Sequence, residues 1–400
     1  MGKSLSKSRF IELFGDEKED HHLIDLCLSI TDGSHNPPKG CDTSNNLMIS
    51  SQNVINNTIN LDKVRFISDE DYVKENKRTN IQEGDVLLTI VGTIGRTAVV
   101  PKLNVNLVAQ RSICILHPNK DVVEPNFLSY MLDNVSNKIE YESRGIAQKG
   151  IYLKQVKEFN VIFPKIEQQR EFTEFIHQID KSKFILQKMI EKLELLKKSR
   201  FIELFGDPFL IDEKEKVPFK NAIAETVKGP FGSDMKKSLF VPKSDTTYKV
   251  FSQVNAIQKD ATAGDYYISA EYYEKMKRFT VNSGDYIVTC DGTLGKIYCL
   301  PENIEKGVIS SSLLRIALNK DVISNVYFET IWNMYMLPML VRRSRNACLV
   351  HLPSAKDIGN LPVPIPNIDK QRDYDKFSNQ IDKSKLILQK QLEDLVGETK

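Results

Sequence analysis

Two long stretches of the chain show the hydrophobic spacing of an amphipathic helix. Within residues 167–205 and 367–400, apolar residues recur every seven positions, at Ile179, Leu186 and Leu193 and at Ile381, Leu388 and Leu395. A seven-residue repeat of apolar side chains is typical of a coiled-coil seam. Gly206 and Asp207-Pro208 end the first stretch. At ~1.5 Å per residue, a helix of that extent is about 58 Å long.

The segments between the two stretches alternate β-branched and polar residues, which predicts strands. They read VRFIS, DVLLTIVG, RTAVVP and RSICIL in the first half, and YYISA, DYIVTCDG, KIYCLP and SSLLRIAL in the second. Short helices are predicted at residues 124–134 and 324–341. Extended, proline-containing strands, FNVIFPKI and LPVPIPNI, precede the long helices. The pattern predicts a mixed α/β chain.

The two halves are copies of one unit. GDVLLTIVGTIGRTAVVP at Gly84 recurs as GDYIVTCDGTLGKIYCLP at Gly284, an offset of 200, and IDKSK at Ile179 recurs at Ile381, an offset of 202. SRFIELFGD begins at Ser8 and again at Ser199, an offset of 191. Such internal repetition predicts two similar domains.

The third offset also indicates that the repeat is circularly closed. The second copy stops where residue 198 of the first copy would stand, and the segment at Ser8 corresponds to residue 199. We therefore predict that residues 1–16 complete the C-terminal helix. The predicted division is then a recognition domain at 17–165, a central helix at 166–206, a second domain at 207–366 and a final helix at 367–400.

Composition excludes several classes of protein. The 400 residues have a formal net charge of only +2, so a polyanion-binding face must come from local patches. The six cysteines form no C-x-x-C pair, and no H-E-x-x-H is present. We expect no metal site, free thiols and a cytoplasmic location. No window is apolar over the ~20 residues of a membrane span, and the N-terminus lacks the pattern of a signal peptide.

Three short motifs were weighed as catalytic sites. Asn36-Pro37-Pro38-Lys39 lacks the aromatic that an adenine methyltransferase stacks on its flipped base. Gly292-Thr293-Leu294-Gly295-Lys296 is too short for a phosphate loop and matches a turn in the first copy. The acid-x-Lys pairs at Asp16 and Asp212 follow helix ends without a metal-binding partner. These motifs are interpreted as turns or hinges.

Five motifs together resemble the specificity (S) subunit of type I restriction-modification systems. They are ITDGSHNPPKG, GPFGSDMKKS, the GTIG strand-turn, the P-x-I-x-x-QR start of each long helix, and SRFIELFGDP at the end of the central helix. The resemblance spans nearly the whole chain. It implies two β-rich target recognition domains separated by two long antiparallel coiled-coil helices. Each domain would read one half of a split, asymmetric DNA sequence, and the helices would dock the modification subunits.

The DNA-contact candidates are glycines, polar residues and basic residues in the predicted loops, for which a solvated side chain or a turn is the alternative. In the first copy they are Thr31, Asp32, Gly33, Ser34, His35, Lys39, Arg96, Gln110 and Arg111. In the second copy they are Lys228, Gly229, Phe231, Gly232, Ser233, Lys236, Lys237, Lys296, Arg342, Arg343 and Arg345. The last three form the strongest phosphate-binding candidate.

The sequence thus predicts a non-catalytic DNA-specificity subunit of a type I restriction-modification complex, a phage-defence system. It predicts double-stranded DNA, two methyltransferase (M) subunits and restriction/translocase (R) subunits as partners. S-adenosylmethionine, ATP and Mg are expected on those partners, with no cofactor and no membrane for this chain. The alternative is a coiled-coil interaction or inhibitor subunit of such a complex. A fused methyltransferase is disfavoured because no residues remain for its catalytic domain.

Overall fold

A computed structural model describes residues 5–134, 150–344 and 351–397 of the chain. They form two compact units, Met1–Gln187 with Lys390–Lys400, and Lys188–Gln389. We call these unit 1 and unit 2. Over the described ranges, no helix has both the length and the hydropathy needed to cross a bilayer.

Unit 1 combines two sheets, two small strand pairs and helices. Its helices are α1 (Leu5–Phe14), α2 (Asp69–Thr79), α3 (Pro125–Asn134), α4 (Leu153–Lys157) and the first part of α5 (Ile166–Phe205). Its strands are β1 (His21–His22), β2 (Cys27–Asp32), β3 (Asn46–Ile49), β4 (Val54–Ile55), β5 (Thr58–Ile59), β6 (Arg65–Phe66), β7 (Val86–Thr89), β8 (Thr97–Val99), β9 (Asn106–Ala109), β10 (Ile113–Pro118) and β11 (Asn160–Val161).

Unit 2 repeats this order. After the rest of α5, its helices are α6 (Gln253–Gln258), α7 (Ala270–Met276), α8 (Asn325–Ile331), α9 (Leu337–Ser344), α10 (Ala355–Gly359) and α11 (Ile368–Val396), the last of which ends in unit 1. Its strands are β12 (Val217–Pro218), β13 (Ile223–Lys228), β14 (Thr247–Phe251), β15 (Tyr267–Ser269), β16 (Tyr286–Thr289), β17 (Ile297–Cys299), β18 (Gly307–Ile309), β19 (Leu313–Leu318) and β20 (Pro362–Val363).

The sheets of the two units have the same strand order. Unit 1 has β2-β10-β7-β8 and β6-β3-β9, and unit 2 has β13-β19-β16-β17 and β15-β14-β18. Every pair is antiparallel except β3 with β9 and β14 with β18. The pairs β1-β11 and β12-β20 join the two ends of each domain, and β4-β5 occurs in unit 1.

The four-stranded sheet of each unit is buried on both faces. In β7, Val86 and Leu88 face the core that contains helix α3, whereas Leu87 faces the core that contains β3 and β9. In β16, Tyr286 and Val288 face one core and Ile287 faces the other. Alternate side chains of a strand point to opposite faces, so the first three residues of each of these two strands are apolar.

The GTIG and GTLG motifs form the turn that joins two neighbouring strands of each sheet. The amide of Arg96 donates to Thr89 Oγ1 at 2.9 Å, and the hydroxyl of Thr89 donates to the carbonyl of Thr93. Thr289 makes the same two bonds to Lys296 and Thr293. The interpretation of both motifs as tight turns agrees with this geometry.

A buried glutamine fixes each long helix to its domain. Gln169 Oε1 accepts from the amide of Glu124 at 2.9 Å, and its Nε2 donates to the carbonyls of Val122 and Pro164 at 3.0 and 2.8 Å. Gln371 repeats the arrangement with Ser324, Val322 and Pro366 at 2.9, 2.9 and 2.8 Å. Both glutamines have no exposed surface, so the QR motif marks an anchoring contact.

The SRFIELFGD repeat supplies aromatic side chains to equivalent clusters. In unit 1, Phe10 and Phe14 contact Phe172, with ring centroids 5.4 and 5.7 Å apart. In unit 2, Phe201 and Phe205 contact Tyr374, with centroids 5.4 and 5.7 Å apart. Helix α1 therefore packs in unit 1 as the end of α5 packs in unit 2.

Within unit 2, the second part of α5 runs antiparallel to α11. Glu194 forms an ion pair with Lys385, and Lys197 forms one with Asp382 at 2.8 Å. From the first pair to the second, the residue number rises in α5 and falls in α11, so the two helical segments are antiparallel.

The long helices and the predicted strands agree with the sequence analysis, but some details differ. Two apolar residues of the first long helix, Met189 and Leu196, have side chains that are 45% and 48% exposed. Leu186 and Leu193 are only partly buried, because a single neighbouring helix covers a narrow stripe. The ITDG stretch was treated as a loop, whereas Thr31 and Asp32 are the last residues of β2. Strands β7 and β16 lie between two apolar cores, so their sequences lack the alternation of apolar and polar residues that usually identifies a strand.

Candidate nucleic acid interface

The end of β2 and the turn between β9 and β10 bring together five of the predicted residues. The amide of Gly33 donates to Ile113 O at 3.1 Å, that of Ser34 to Ala109 O at 2.7 Å, and that of Arg111 to Ser34 O at 2.9 Å. A Cβ at Gly33 would lie 2.2 Å from the carbonyl oxygen of Ala109, so only glycine fits. Asp32 and Gln110 flank this contact in the sequence.

Asp32 lies beneath this edge as a buried anchor. Its side chain is 12% exposed, and its Oδ2 is 2.6 Å from His35 Nε2. Its Oδ1 accepts a hydrogen bond from Arg78 Nη2. The side chains of both partners are 53% exposed. Asp32 was predicted to contact DNA, but its two oxygens are already occupied within the protein.

Sequence reasoning missed Arg78. It occupies the last turn of helix α2, which begins at the N-cap Ser68 and ends where Asn80 adopts a left-handed conformation with φ 42°. Arg78 and Asp32, which form this contact, are 46 positions apart in the sequence. The available signals were the three acidic residues of the first turn and the two basic residues of the last, which mark a capped helix but no function.

These groups line a cleft of unit 1. Asp32, His35, Arg111 and Tyr152 all contribute to its walls, together with Ile90, Val91, Gly150, Ile151 and Leu153. Tyr152 is 64% exposed, and Arg111 has no acidic partner in the described part of the chain. An exposed aromatic ring beside unpaired arginine donors is suited to contact with bases and phosphates.

Unit 2 builds the same framework with different side chains. The amide of Gly229 donates to Leu313 O at 2.9 Å, and a Cβ there would lie 1.9 Å from Ser310 O. Lys228 precedes this glycine and pairs in register with Leu314, as Asp32 pairs with Cys114. Shortly after β16 of the same sheet, Asp291 Oδ1 lies 2.6 Å from His351 Nδ1. The equivalent edges thus carry an acid in one unit and a base in the other.

The GPFGSDMKKS loop presents Phe231 to solvent. The side chain of Phe231 is 82% exposed, although both ends of the loop are fixed. Gly229 fixes one end, and the buried Met235 fixes the other. The hydroxyl of Tyr272 donates to the carbonyl of Asp234 at 2.6 Å. Gly232, Ser233, Lys236 and Lys237 on the same loop are exposed.

The remaining candidates are scattered. Lys39, Arg96 and Lys296 are exposed, and Arg96 donates to the carbonyl of Val54 at 3.4 Å. The hydroxyl of Thr31 is buried and has no hydrogen-bond partner among the described residues.

Only one arginine side chain of the predicted phosphate-binding patch belongs to the described residues. Arg342 is exposed near the end of α9. The side chain of Arg343 and the whole of Arg345 lie outside the described residues.

A buried carboxylate lies under the sheet in both units. In unit 1, His117 Nδ1 lies 2.9 Å from Asp85, and this hydrogen bond raises the pKa of His117. In unit 2, Arg315 contacts both Asp285, at 3.3 Å, and Glu225. Burial raises the pKa of Asp285, and Arg315 opposes that shift. These pairs are internal supports of the sheet, not groups facing a ligand.

Burial also governs the cysteines. It raises the pKa of Cys27 to about 12 and raises the pKa of Cys114 as well. Both side chains therefore stay as thiols near neutral pH. Across the described ranges, no three His, Cys, Asp or Glu side chains are grouped as a metal site requires.

Comparison with known proteins identifies the domain that carries the cleft. Residues 25–195 match the family model of the type I restriction modification DNA specificity domain. Unit 1 therefore contains a type I restriction-modification DNA specificity domain.

Relatives of the chain have the same description. A type I restriction enzyme specificity subunit (MjaX) of Methanocaldococcus jannaschii is 22% identical over 81% of this chain and 79% of its own length. The EcoBI specificity subunit of Escherichia coli is 32% identical over 30% of this chain and 26% of its own length. The family resemblance and the predicted class of function, a type I specificity subunit, are confirmed, and the inhibitor alternative is not favoured.

Solved structures show the same fold. A chain from a structural study of complex assembly and conformational transition in the type I restriction-modification system has a TM-score of 0.60 at 14% identity, covering 94% of this chain and 93% of that one. The S subunit of M. genitalium has a TM-score of 0.50 at 15% identity, covering 93% and 91%. The mixed α/β fold with a long helix is thereby confirmed.

Proposed function

We propose that this type I specificity subunit reads one half of a split, asymmetric DNA sequence with each unit. The observation that carries the proposal is the pair of equivalent sheet edges, where Gly33 and Gly229 make the same close contact. Asp32 stands before one glycine and Lys228 before the other. A shared framework with different side chains suits two half-sites of different sequence. Exposed arginines, lysines and aromatic rings at these edges favour DNA over a protein ligand.

Methylome sequencing tests this proposal. Cells that express this chain with its modification subunits should acquire one bipartite methylated motif with a fixed gap. Exchange of residues 17–165 for the equivalent domain of another specificity subunit should change one half of the motif and preserve the other. Absence of any new motif, or a change in both halves, would contradict the two-reader proposal.

We further propose that the repeat is circularly closed. Support comes from the equivalent packing of Phe10 and Phe14 in unit 1 and of Phe201 and Phe205 in unit 2. Each unit then has a complete set of helical contacts, with α5 and α11 as antiparallel coiled-coil segments. Such pseudo-symmetry presents similar surfaces to two copies of one partner, which suits two M subunits.

The chain itself would perform no chemistry in this proposal. Methyl transfer from S-adenosylmethionine belongs to the M subunits, and ATP-driven translocation and Mg-dependent cleavage belong to the R subunits. The relatives support this division, since they are named specificity subunits. Purified chain incubated with S-adenosylmethionine and target DNA should transfer no methyl group until M subunit is added. Methyl transfer by the chain alone would overturn this assignment.

A further inference from the structure

Arg78 lies beside the cleft of unit 1, and its orientation is fixed by Asp32, a buried carboxylate in the cleft wall. Asp32 Oδ1 accepts from one terminal nitrogen of Arg78, and Asp32 Oδ2 is held by His35 Nε2 at 2.6 Å. The carboxylate is 12% exposed, whereas Arg78 is 53% exposed. A guanidinium has five N–H donors, so most of the donors of Arg78 remain free. The contact therefore fixes the side chain without using up its hydrogen-bonding capacity.

The backbone that carries Arg78 is fixed as well. Helix α2 ends one residue later, at Thr79, and Asn80 closes it in a left-handed conformation. The carbonyl of Thr79 is 3.1 Å from His117 Nε2, and the other nitrogen of that ring contacts Asp85 at 2.9 Å. A buried histidine-carboxylate pair thus supports the turn from which Arg78 projects. Such support lowers the entropy lost when a side chain binds its target.

We propose that Arg78, positioned by Asp32, reads a guanine in the half-site recognised by unit 1. The inference rests on the proposed function and adds a residue and a base to it. Guanine is the base that presents two acceptors, N7 and O6, on its major-groove edge, and a fixed guanidinium matches them with two parallel donors. Adenine offers a donor beside its N7, which opposes one of those N–H groups.

Charge favours a base over a phosphate for this arginine. Asp32 neutralises Arg78, so the pair gains little from general attraction to the DNA backbone, while its directional donors remain. Arg111 lines the cleft itself, has no acidic partner among the described residues and is the better phosphate ligand. The two arginines therefore have different roles, Arg78 in base selection and Arg111 in general affinity.

The described residues of unit 2 do not repeat this carboxylate–arginine pair at the equivalent edge. Lys228 occupies the register position of Asp32, before the equivalent glycine. A lysine cannot accept the arginine hydrogen bond, so a fixed arginine is not built there in the same way. The proposal therefore places the guanine contact in only one half of the motif.

The test is methylome sequencing of the complete complex with single variants of this chain. Arg78→Ala should relax one guanine position in one half of the motif, with relative methylation of mismatched sites rising about 10- to 100-fold. Arg78→Lys should relax the same position, because lysine keeps the charge but loses the two-pronged donor. Asp32→Asn should also relax that position, as expected of a positioning residue. Lys77→Ala, which removes a neighbouring exposed charge from α2, should leave every position intact.

The outcomes separate this inference from the proposed function. If the wild-type complex methylates no bipartite motif, the proposed function fails. If it does, and Arg78→Ala lowers methylation equally at all sites while every base stays required, Arg78 is a phosphate or structural contact and the guanine assignment is overturned. Retained specificity in Arg78→Lys would lead to the same conclusion. Thermal unfolding of each variant identifies loss of folding, and Arg78→Lys with an unchanged melting temperature supplies the decisive case.

Discussion

At the scale of single residues, exposure separates side chains that support the fold from those available to a ligand. Phe231 and Met235 lie four positions apart on one loop, yet Phe231 is 82% exposed and Met235 is 8% exposed. The first ring is presented to solvent by a loop that is anchored at both ends. A large exposed aromatic on an ordered loop is an efficient contact group, because little conformational freedom remains to be lost.

We expect Phe231→Ala to weaken DNA binding without affecting stability. An exposed side chain contributes within about 0.5 kcal/mol to folding, whereas an apolar contact of the ring with a thymine methyl group in the major groove would be lost on substitution. Fluorescence anisotropy with target DNA and denaturant unfolding provide the two measurements. Met235→Ala is the matched control and should lower the stability of the loop and its sheet. Unchanged affinity in Phe231→Ala would remove this residue from the interface.

His117 should make the stability of unit 1 depend on pH. Its pKa is raised in the folded state by the hydrogen bond to Asp85. The stabilisation is then fully present below the unfolded value of about 6.5 and is lost as pH rises through the folded pKa. The amides of β7 and β10 should be more protected from hydrogen exchange in wild type than in His117→Gln. This difference in protection should be larger at pH 6 than at pH 8.5. An equal difference between the two proteins at both pH values would refute this assignment.

At the scale of elements, each long helix is held to its domain by a buried glutamine in addition to its apolar side chains. Gln169 and Gln371 each satisfy one amide and two carbonyl groups that have no other role in the joint. Leu186 and Leu193 are only partly covered. The attachment of each domain to its helix therefore combines directional hydrogen bonds with apolar packing of Phe172 and Tyr374.

Gln371→Leu should destabilise unit 2 by roughly 1–3 kcal/mol, because it leaves buried backbone groups without partners. The single tryptophan, Trp332, is fully buried in this unit and reports its unfolding by fluorescence. Arg372→Ala, next to it and 58% exposed, is the matched control and should change stability by less than about 0.5 kcal/mol. Equal effects of the two substitutions would contradict the anchoring role.

At the scale of the whole molecule, the chain is organised by its duplication. Both units share strand order, turn chemistry and aromatic clusters. They differ at the sheet edge, where Asp32 and Lys228 occupy equivalent positions. A shared framework with one edge varied is what the proposed reading of two different half-sites requires.

The proposed closure of the repeat predicts that the N-terminal helix is required for the stability of unit 1. Phe14 is 3% exposed and lies 5.3 Å from Phe127 and 5.7 Å from Phe172, measured between ring centroids. Phe14→Ala should therefore cost about 3–5 kcal/mol. Hydrogen exchange of α3 and the start of α5 would report the loss. Ile11→Ala, at a position 42% exposed, is the control on the same helix, and equal protection in both variants would show that α1 is a dispensable extension.

The sequence by itself determined the elements that depend on local pattern. The seven-residue spacing predicted α5 and α11, and the repeated GTIG and GTLG motifs predicted two equivalent turns. The repeats also predicted the kinship of the two halves and, through the motifs, the family. Each of these features is encoded by residues close together or by repetition, which one chain displays directly.

The tertiary structure alone decided which groups share a site. Asp32 and Arg78 lie 46 positions apart, and only the meeting of β2 with the end of α2 places the carboxylate against the guanidinium. Asp32 was expected to face DNA, whereas its burial makes it a support for the exposed side chains of His35 and Arg78. Register and burial depend on packing between distant segments, and their free energies have no local signature in sequence. The sequence therefore predicted the architecture, whereas the contacts among side chains at the sheet edge required the tertiary structure.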